Sequence, residues 1–207
     1  MKIAVIAANG RTGQAFVEAA LKSGHSVRAG VIGASTLKPR QNLEIVECDA
    51  TNSSQVLNLI KGQDVVASFI GHVKKSPPDV QSKAISTIIE SMDKLQIKRL
   101  ISLTGTGVRF PGDRITLIDR FLNLSIGIID PARVKDGKDH VDIIKSSGLD
   151  WTIIRVLKLQ NVAPRPYQLL INGPTKPYVG RSEVAQAVLE VIENSSFIQQ
   201  APIIGKK

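Results

Sequence analysis

Lys2-Ile-Ala-Val-Ile-Ala-Ala-Asn-Gly-Arg-Thr-Gly13 opens the chain, and its reading decides the fold class. Residues 2–8 are nearly all apolar, the composition of a strand buried on both faces of a parallel sheet. Asn9-Gly-Arg-Thr-Gly13 is a turn signal. Beyond it, Phe16, Val17, Ala20 and Leu21 mark one face of a helix that Gly24 stops. Between a buried strand and a helix, the two glycines have separate uses. Gly10 lets the backbone approach a pyrophosphate, and Gly13 lets the helix pack close to the sheet. The helix N-terminus adds unpaired N–H donors and the positive end of the helix dipole. Residues Asn9, Gly10, Arg11, Thr12 and Gly13 are therefore candidate dinucleotide contacts. Ala7 stands where the usual G-x-x-G-x-x-G spacing has its first glycine. A plain strand-to-helix turn is the competing reading of the same residues.

The pattern then alternates. Strands are predicted at 26–31, 43–47, 64–70, 98–103, 150–156 and 197–204, and helices at 53–61, 79–95, 135–146 and 182–193. Val80, Ala84, Ile88, Met92 and Leu95 form the clearest helical stripe. Residues 104–134 read as irregular structure with one short helix, and residues 157–180 as a long excursion stiffened by four prolines, at 164, 166, 174 and 177. Parallel strands need crossover helices, so this alternation implies an α/β doubly wound parallel sheet of Rossmann type. We expect a single domain over residues 1–207. Ligands of such sheets bind beyond the strand C-terminal ends, so both excursions should overhang that edge.

Other strand ends carry further candidates. Asp49 and Ala50 follow the third strand, where the carboxylate is placed to bond an adenine amino group; capping the next helix is the alternative for Asp49. Phe69-Ile70-Gly71 ends the fourth strand, where a small residue permits cofactor approach.

Composition narrows the function. The chain has 207 residues with 43% hydrophobic and 22% charged, ordinary values that exclude disorder. Cys48 is the single cysteine, so an internal disulfide is impossible and a cytoplasmic setting is expected. No apolar run approaches membrane-spanning length, and no membrane partner is expected. The net charge of +9 is spread as +2, +4 and +3 over residues 1–60, 61–110 and 111–207. With no basic block and no aromatics interleaved with one, nucleic acid is not expected; small anionic ligands suit a diffuse positive surface better. The oligomeric state is left open.

Taken together, Gly10-Arg-Thr-Gly13, Asp49-Ala50, Gly62-Gln-Asp-Val-Val66, Ser147-Gly-Leu-Asp-Trp-Thr-Ile-Ile-Arg155 and Val179-Gly-Arg-Ser-Glu-Val-Ala185 resemble the atypical short-chain dehydrogenase/reductase superfamily. More narrowly, the chain looks like the NmrA-like NAD(P)-binding proteins and the flavin (biliverdin-type) reductases. The resemblance implies a Rossmann-type unit that binds NAD(P)H, often with reductase activity.

Cofactor choice has a physical argument. NAD enzymes place an acid about 20 residues past the loop to bond the ribose 2′-hydroxyl. Here the second strand ends Ala29-Gly-Val-Ile-Gly33 with no acid, and the next loop offers Ser35, Lys38 and Arg40. With Arg11, these would meet a 2′-phosphate, so NADP(H) is the expected cofactor. Similar reductases usually carry an arginine where Ile32 stands.

The catalytic apparatus common in the superfamily pairs a tyrosine with a lysine four residues later, which lowers the phenol pKa. Neither tyrosine qualifies: Tyr167 is followed at that spacing by Ile171 and Tyr178 by Ser182. Thr104 and Thr106 remain as hydroxyls at the end of the fifth strand, and Thr104 is the first catalytic candidate. His140, in Asp139-His140 with Lys145 downstream, resembles a feature of the flavin/biliverdin-type reductases and is the second; a polar residue near a helix start is its bland reading. His72 has a lesser claim to ligand contact, and His25 reads as a turn residue. No metal-ligand spacing occurs.

An NADPH-dependent reductase of a planar conjugated acceptor, such as a flavin or quinone, follows, because hydride transfer to such an acceptor needs little proton machinery. An NADP-binding sensor without turnover is the alternative, and a sugar-nucleotide epimerase a weaker third. The acceptor is expected to be planar and anionic, met by Lys74, Lys75, Lys158, Arg165 and Lys176 and covered by Phe110, Val156, Leu157 and Val162.

Overall fold

A computed structural model describes residues 1–207 except Lys74 and Ile115. One eight-stranded sheet organises the chain. Its strands are β1 (Lys2–Ile6), β2 (Ser26–Val31), β3 (Leu43–Glu47), β4 (Val65–Ser68), β5 (Arg99–Gly105) and β6 (Asp150–Val156), together with β8 (Tyr167–Leu170) and β10 (Ile203–Lys206). The order is β3-β2-β1-β4-β5-β6-β10-β8. All neighbours are parallel except β8, which runs antiparallel to β10. The first six strands have the 3-2-1-4-5-6 order of a doubly wound sheet, whose switch point lies between β1 and β4. Two short strands, β7 (Lys158–Gln160) and β9 (Tyr178–Gly180), form a separate parallel ribbon.

Helices cover both faces, as a sheet buried on both sides requires. On one face lie α1 (Arg11–Lys22) and α6 (Arg181–Glu193), packed side by side. Phe16, Val17 and Ala20 of α1 share a core there with Val184, Ala185 and Val188 of α6. On the other face, α2 (Ser53–Ile60), α3 (Val80–Lys94) and α5 (Pro131–Lys145) cover a second core of Ile6, Leu59, Ile88, Met92, Leu100 and Ile144. The alternation of β5 distributes its residues: Ile101 joins the first core and Leu100 the second.

Strands β2, β3 and β6 have the bounds read from sequence. Four expectations need correction. β1 stops at Ile6, because Ala7 adopts a left-handed backbone with φ 59°. Residues 104–134 are largely helical: α4 (Leu117–Ile129) fills their second half, capped by the Thr116 side chain on the Asp119 N–H, and α5 begins at Pro131. The last strand is confined to Ile203–Lys206, since positive φ at Phe197 (55°) and Gln199 (53°) breaks the extended backbone before it. The excursion over residues 157–180 is less irregular than expected. It holds β7, β8 and β9, and β8 returns to the far edge of the main sheet.

Candidate functional site

The β1–α1 junction stands at the switch point of the sheet. Gly10 caps α1 with an extended backbone (φ −64°, ψ 149°), no side chain bonds the first-turn N–H groups, and the first turn carries no acid. That end of the helix is open and electropositive. Gly13 is buried against the strand end. A Cβ there would stand 2.6 Å from the Ala7 carbonyl oxygen and 2.9 Å from the Ala8 Cα, so only glycine fits. The Ala7 carbonyl also accepts the Gly10 N–H at 3.0 Å. Gly71, just beyond β4, faces open space: a Cβ there would meet nothing within 4 Å. These features fit a dinucleotide with its pyrophosphate at the α1 N-terminus.

The other candidates divide into those facing the loop and those held elsewhere. The Asn9 side chain ties the first loop to the one after β2, donating to the Ala34 carbonyl at 3.0 Å and accepting from the Thr36 N–H at 3.0 Å. Arg11 is exposed at the first turn of α1, with Thr12 half-buried beside it. Ser35 is exposed, and its hydroxyl accepts the Leu37 N–H. Lys38 is exposed as well. Arg40 pairs with Glu18 on α1 and so has its charge partly answered within the chain. Asp49 closes its own loop, accepting from the Thr51 N–H at 2.9 Å and the Thr51 hydroxyl at 2.8 Å. The cap of α2 is Asn52 and not Asp49. Ala50 is buried. Phe69 is half-buried against Phe16, ring centroids 5.1 Å apart, and the Ile70 carbonyl accepts the Gln81 amide.

Thr104 and His140 both lie between β5 and α5. Thr104 is buried near Gly137 of α5, whose added Cβ would lie 3.7 Å from its Oγ1. His140 is 3% exposed, with Nε2 3.0 Å from Ser102 Oγ and Nδ1 without a partner. Burial pushes its pKa down to about 4, against a smaller upward pull from Asp136. His140 is thus a neutral core imidazole at neutral pH. His72 is held 2.8 Å from Asp136 Oδ2. Asp136 also accepts the Gln81 and Ser82 N–H groups, and so caps α3 from α5. Burial alone would raise the Asp136 carboxyl; hydrogen bonds from Ser82, Gln81 and His72 outweigh it and hold the pKa below its ordinary value. His25 bonds Glu193 at the end of α6.

Neither tyrosine stands on β5 or α5. Tyr167 stands on β8 with its hydroxyl on Glu190, and burial followed by that carboxylate pushes its pKa far up. Tyr178 is on β9, its ring beneath Lys158. Among the described residues, no cluster of His, Cys, Asp and Glu is arranged to hold a metal.

Two arginines were not singled out by the sequence reading. Arg181 begins α6, donates to Asn161 Oδ1 at 2.6 Å, and has its pKa lowered first by burial and then by the positive charge of Arg11. Arg11 and Arg181 thus begin two helices that pack side by side, near enough for each charge to act on the other. The signal was available, since Arg181 is the first residue of a helix that packs on α1. Arg155, fully buried, donates to both Asp113 oxygens and to the Ile171 carbonyl, which pins residues 104–134 and 157–180 together. Two expected acceptor-binding cations are already engaged: Arg165 and Lys176 both bond the buried Glu183. Of the pair Lys74 and Lys75, Lys74 lies outside the described residues. Val156 is a core residue, Phe110 packs under the Arg155 guanidinium, and Leu157 and Val162 lie beyond β6.

A 3-2-1-4-5-6 sheet with an open helix N-terminus at its switch point defines a dinucleotide-binding protein. Residues 7–195 match the NAD(P)H-binding family model, and the chain belongs to that family. An uncharacterized chloroplastic protein of Arabidopsis thaliana is 27% identical over 95% of this chain and 74% of its own. The fold is shared with a short-chain dehydrogenase/reductase of Veillonella parvula in complex with NADP, at TM-score 0.84 and 16% identity over 99% of this chain and 94% of that one. It is also shared with a putative NADH-flavin reductase of Streptococcus pneumoniae, at TM-score 0.81 and 22% identity over the whole of both chains.

Proposed function

We propose that this protein is an NADPH-dependent oxidoreductase, acting as one unit over residues 1–207, that passes hydride to a planar conjugated acceptor such as a flavin or quinone. The observation that carries the reading is an open α1 N-terminus at the switch point, with no acid in its first turn, in a sheet whose β5–α5 wall carries no phenol. Thr104, Ser102, Gly137 and a neutral His140 occupy the wall, and the two tyrosines stand on β8 and β9. The cofactor supplies the hydride; the chain holds it and the acceptor in place. In this reading Gly10–Gly13 and the α1 N-terminus bind the pyrophosphate, with Arg11 and Arg181 answering its charge. Ser35, Lys38 and Arg11 meet the 2′-phosphate, and Gly71 leaves room at the end of β4. The name of the Streptococcus pneumoniae neighbour agrees with a flavin acceptor. For an anionic acceptor, exposed Lys158 and Lys75 are the available cations. The reading includes a cytoplasmic setting, with Cys48, the single cysteine, buried as a free thiol.

The test is NADPH oxidation with free flavin, a quinone and dichlorophenolindophenol, with Gly10→Val as the cofactor-blocked control. Turnover by the wild type that the folded variant loses supports the reading. Tight NADPH binding without turnover on any acceptor overturns it in favour of a dinucleotide sensor.

A further inference from the structure

Helix α4 is amphipathic in the inverted sense. Its buried residue is Asp119, fully enclosed, which accepts from Arg109 Nη2 at 2.6 Å, Asn123 Nδ2 at 2.6 Å and Thr175 Oγ1 at 2.7 Å. Asn123 also donates to Thr106 at the end of β5. The polar side of α4 is thereby latched to the protein. The apolar side faces outward: Leu117, Phe121, Leu124 and Ile128, spaced i, i+4, i+7 and i+11, are 83%, 69%, 63% and 75% exposed, and Ile118 and Ile129 extend the patch. A surface helix of a globular protein turns such a stripe inward. A contiguous exposed patch of this kind marks an interaction surface.

Charge around the patch selects the occupant. Arg120 on α4, and Arg114 and Arg133 within four residues of its ends, are exposed and form no ion pair among the described residues. Nearby acids are engaged: Asp113 with Arg155, Asp119 with Arg109, and Asp139 with Lys135, while Asp130 caps α5. An apolar strip with a cationic rim complements an anionic bilayer surface. A second copy placed on the same face would set cations against cations. At 13 residues, α4 is too short to span a bilayer, and among the described residues no helix is long and apolar enough to do so. Its exposed apolar stripe is the face such a helix lays into the interface plane.

Against the expectation from sequence of no membrane partner, we propose that α4 is an interfacial helix that docks this protein on anionic membrane surfaces, with Leu117, Phe121, Leu124 and Ile128 entering the acyl boundary and the arginine rim meeting the headgroups. The proposal is independent of the reductase reading.

The test is vesicle flotation of the full chain with phosphatidylcholine alone and with phosphatidylcholine containing phosphatidylglycerol. Binding to the anionic vesicles is expected at low salt, weakening by about tenfold in roughly 0.5 M salt, where surface charges are screened. The double variant Phe121→Glu, Leu124→Glu, with NADPH affinity and melting curve retained as fold controls, is expected to lose binding. In Phe121→Trp, a blue shift of emission on adding anionic vesicles reports burial, because the native Trp151 is already in the core. Three results overturn the proposal: no binding by the folded wild type at low salt, equal binding to both vesicle types, or undiminished binding by the double-glutamate variant. Sedimentation showing that this variant turns a dimer into a monomer, without any vesicle effect, assigns the patch to a second copy.

Discussion

Arg155, one residue from the end of β6, and Asp113, in the segment after β5, form a bidentate ion pair at 2.6 and 2.9 Å, their side chains 1% and 5% exposed. The Phe110 ring lies 4.6 Å from the guanidinium, and the carbonyls of Ala201 and Ile171 take two more of its N–H groups. This arginine is the joint between two long excursions and the sheet.

Breaking that joint on one side leaves a charge buried without a partner, a loss of about 3–5 kcal/mol for such pairs. For a chain of this size, Asp113→Ala is expected to lower Tm by roughly 10 °C. Replacing both partners with apolar residues, as in Asp113→Leu with Arg155→Met, removes the stranded charge and should recover part of the loss. Calorimetry of both variants checks this. A single variant as stable as wild type would mean that the pair contributes nothing.

The elements that were legible in the sequence are those whose signals are local. A continuous apolar run gives β1, and a 3.6-residue stripe ending at Gly24 gives α1. Helix α4 was hidden by its own inversion and by the Gly and Pro residues at 105, 107, 111 and 112. Its start signals were nonetheless present, Thr116 three residues before Asp119 and Asp130-Pro131 at the head of α5. Apolar content at 197–204 overstates the last strand, because it says nothing about the left-handed backbones of Phe197 and Gln199. In the site, the glycine loop was legible from spacing. The engagement of Arg40 by Glu18, of Lys176 by Glu183, and the burial of His140 were not, since each depends on contacts across the fold.

His140 should make stability depend on pH. Burial lowers its pKa from 6.5 to about 4 in the folded chain. Between those values the unfolded chain holds the proton and the folded chain does not. Stability is therefore complete above pH 6.5 and falls as pH drops toward 4, by about 3 kcal/mol at most. Urea midpoints at pH 7, 6 and 5 should decline in the wild type and decline less in His140→Leu. Identical slopes for the two proteins would remove His140 as the source.

Cofactor preference should separate two cations of one loop. Lys38 is exposed, whereas Arg40 is paired with Glu18. Lys38→Glu is expected to weaken NADPH by about tenfold through loss of a charge-assisted phosphate contact, leaving NADH nearly unchanged. Arg40→Gln should alter NADPH affinity by less. Titration calorimetry with both cofactors decides it, and equal losses for NADPH and NADH in Lys38→Glu would sink the 2′-phosphate assignment.

Ala7 offers a gain of stability at the functional loop itself. Its φ of 59° is a left-handed backbone that costs an L-residue about 1–2 kcal/mol. The strain persists because the Ala7 carbonyl holds the Gly10 N–H and stands close above Gly13. Glycine at position 7 removes the Cβ conflict and restores the residue that the G-x-x-G-x-x-G spacing expects. Its greater freedom in the unfolded chain takes back about 0.5–1 kcal/mol. The net expectation for Ala7→Gly is a stabilisation of about 0.5–1 kcal/mol, a rise in Tm of roughly 2 °C, with NADPH affinity kept. Gly13→Ala moves the other way in either background, because its clash is with backbone atoms that the first change does not move. A lower Tm for Ala7→Gly would show that the methyl group contributes packing that outweighs the strain.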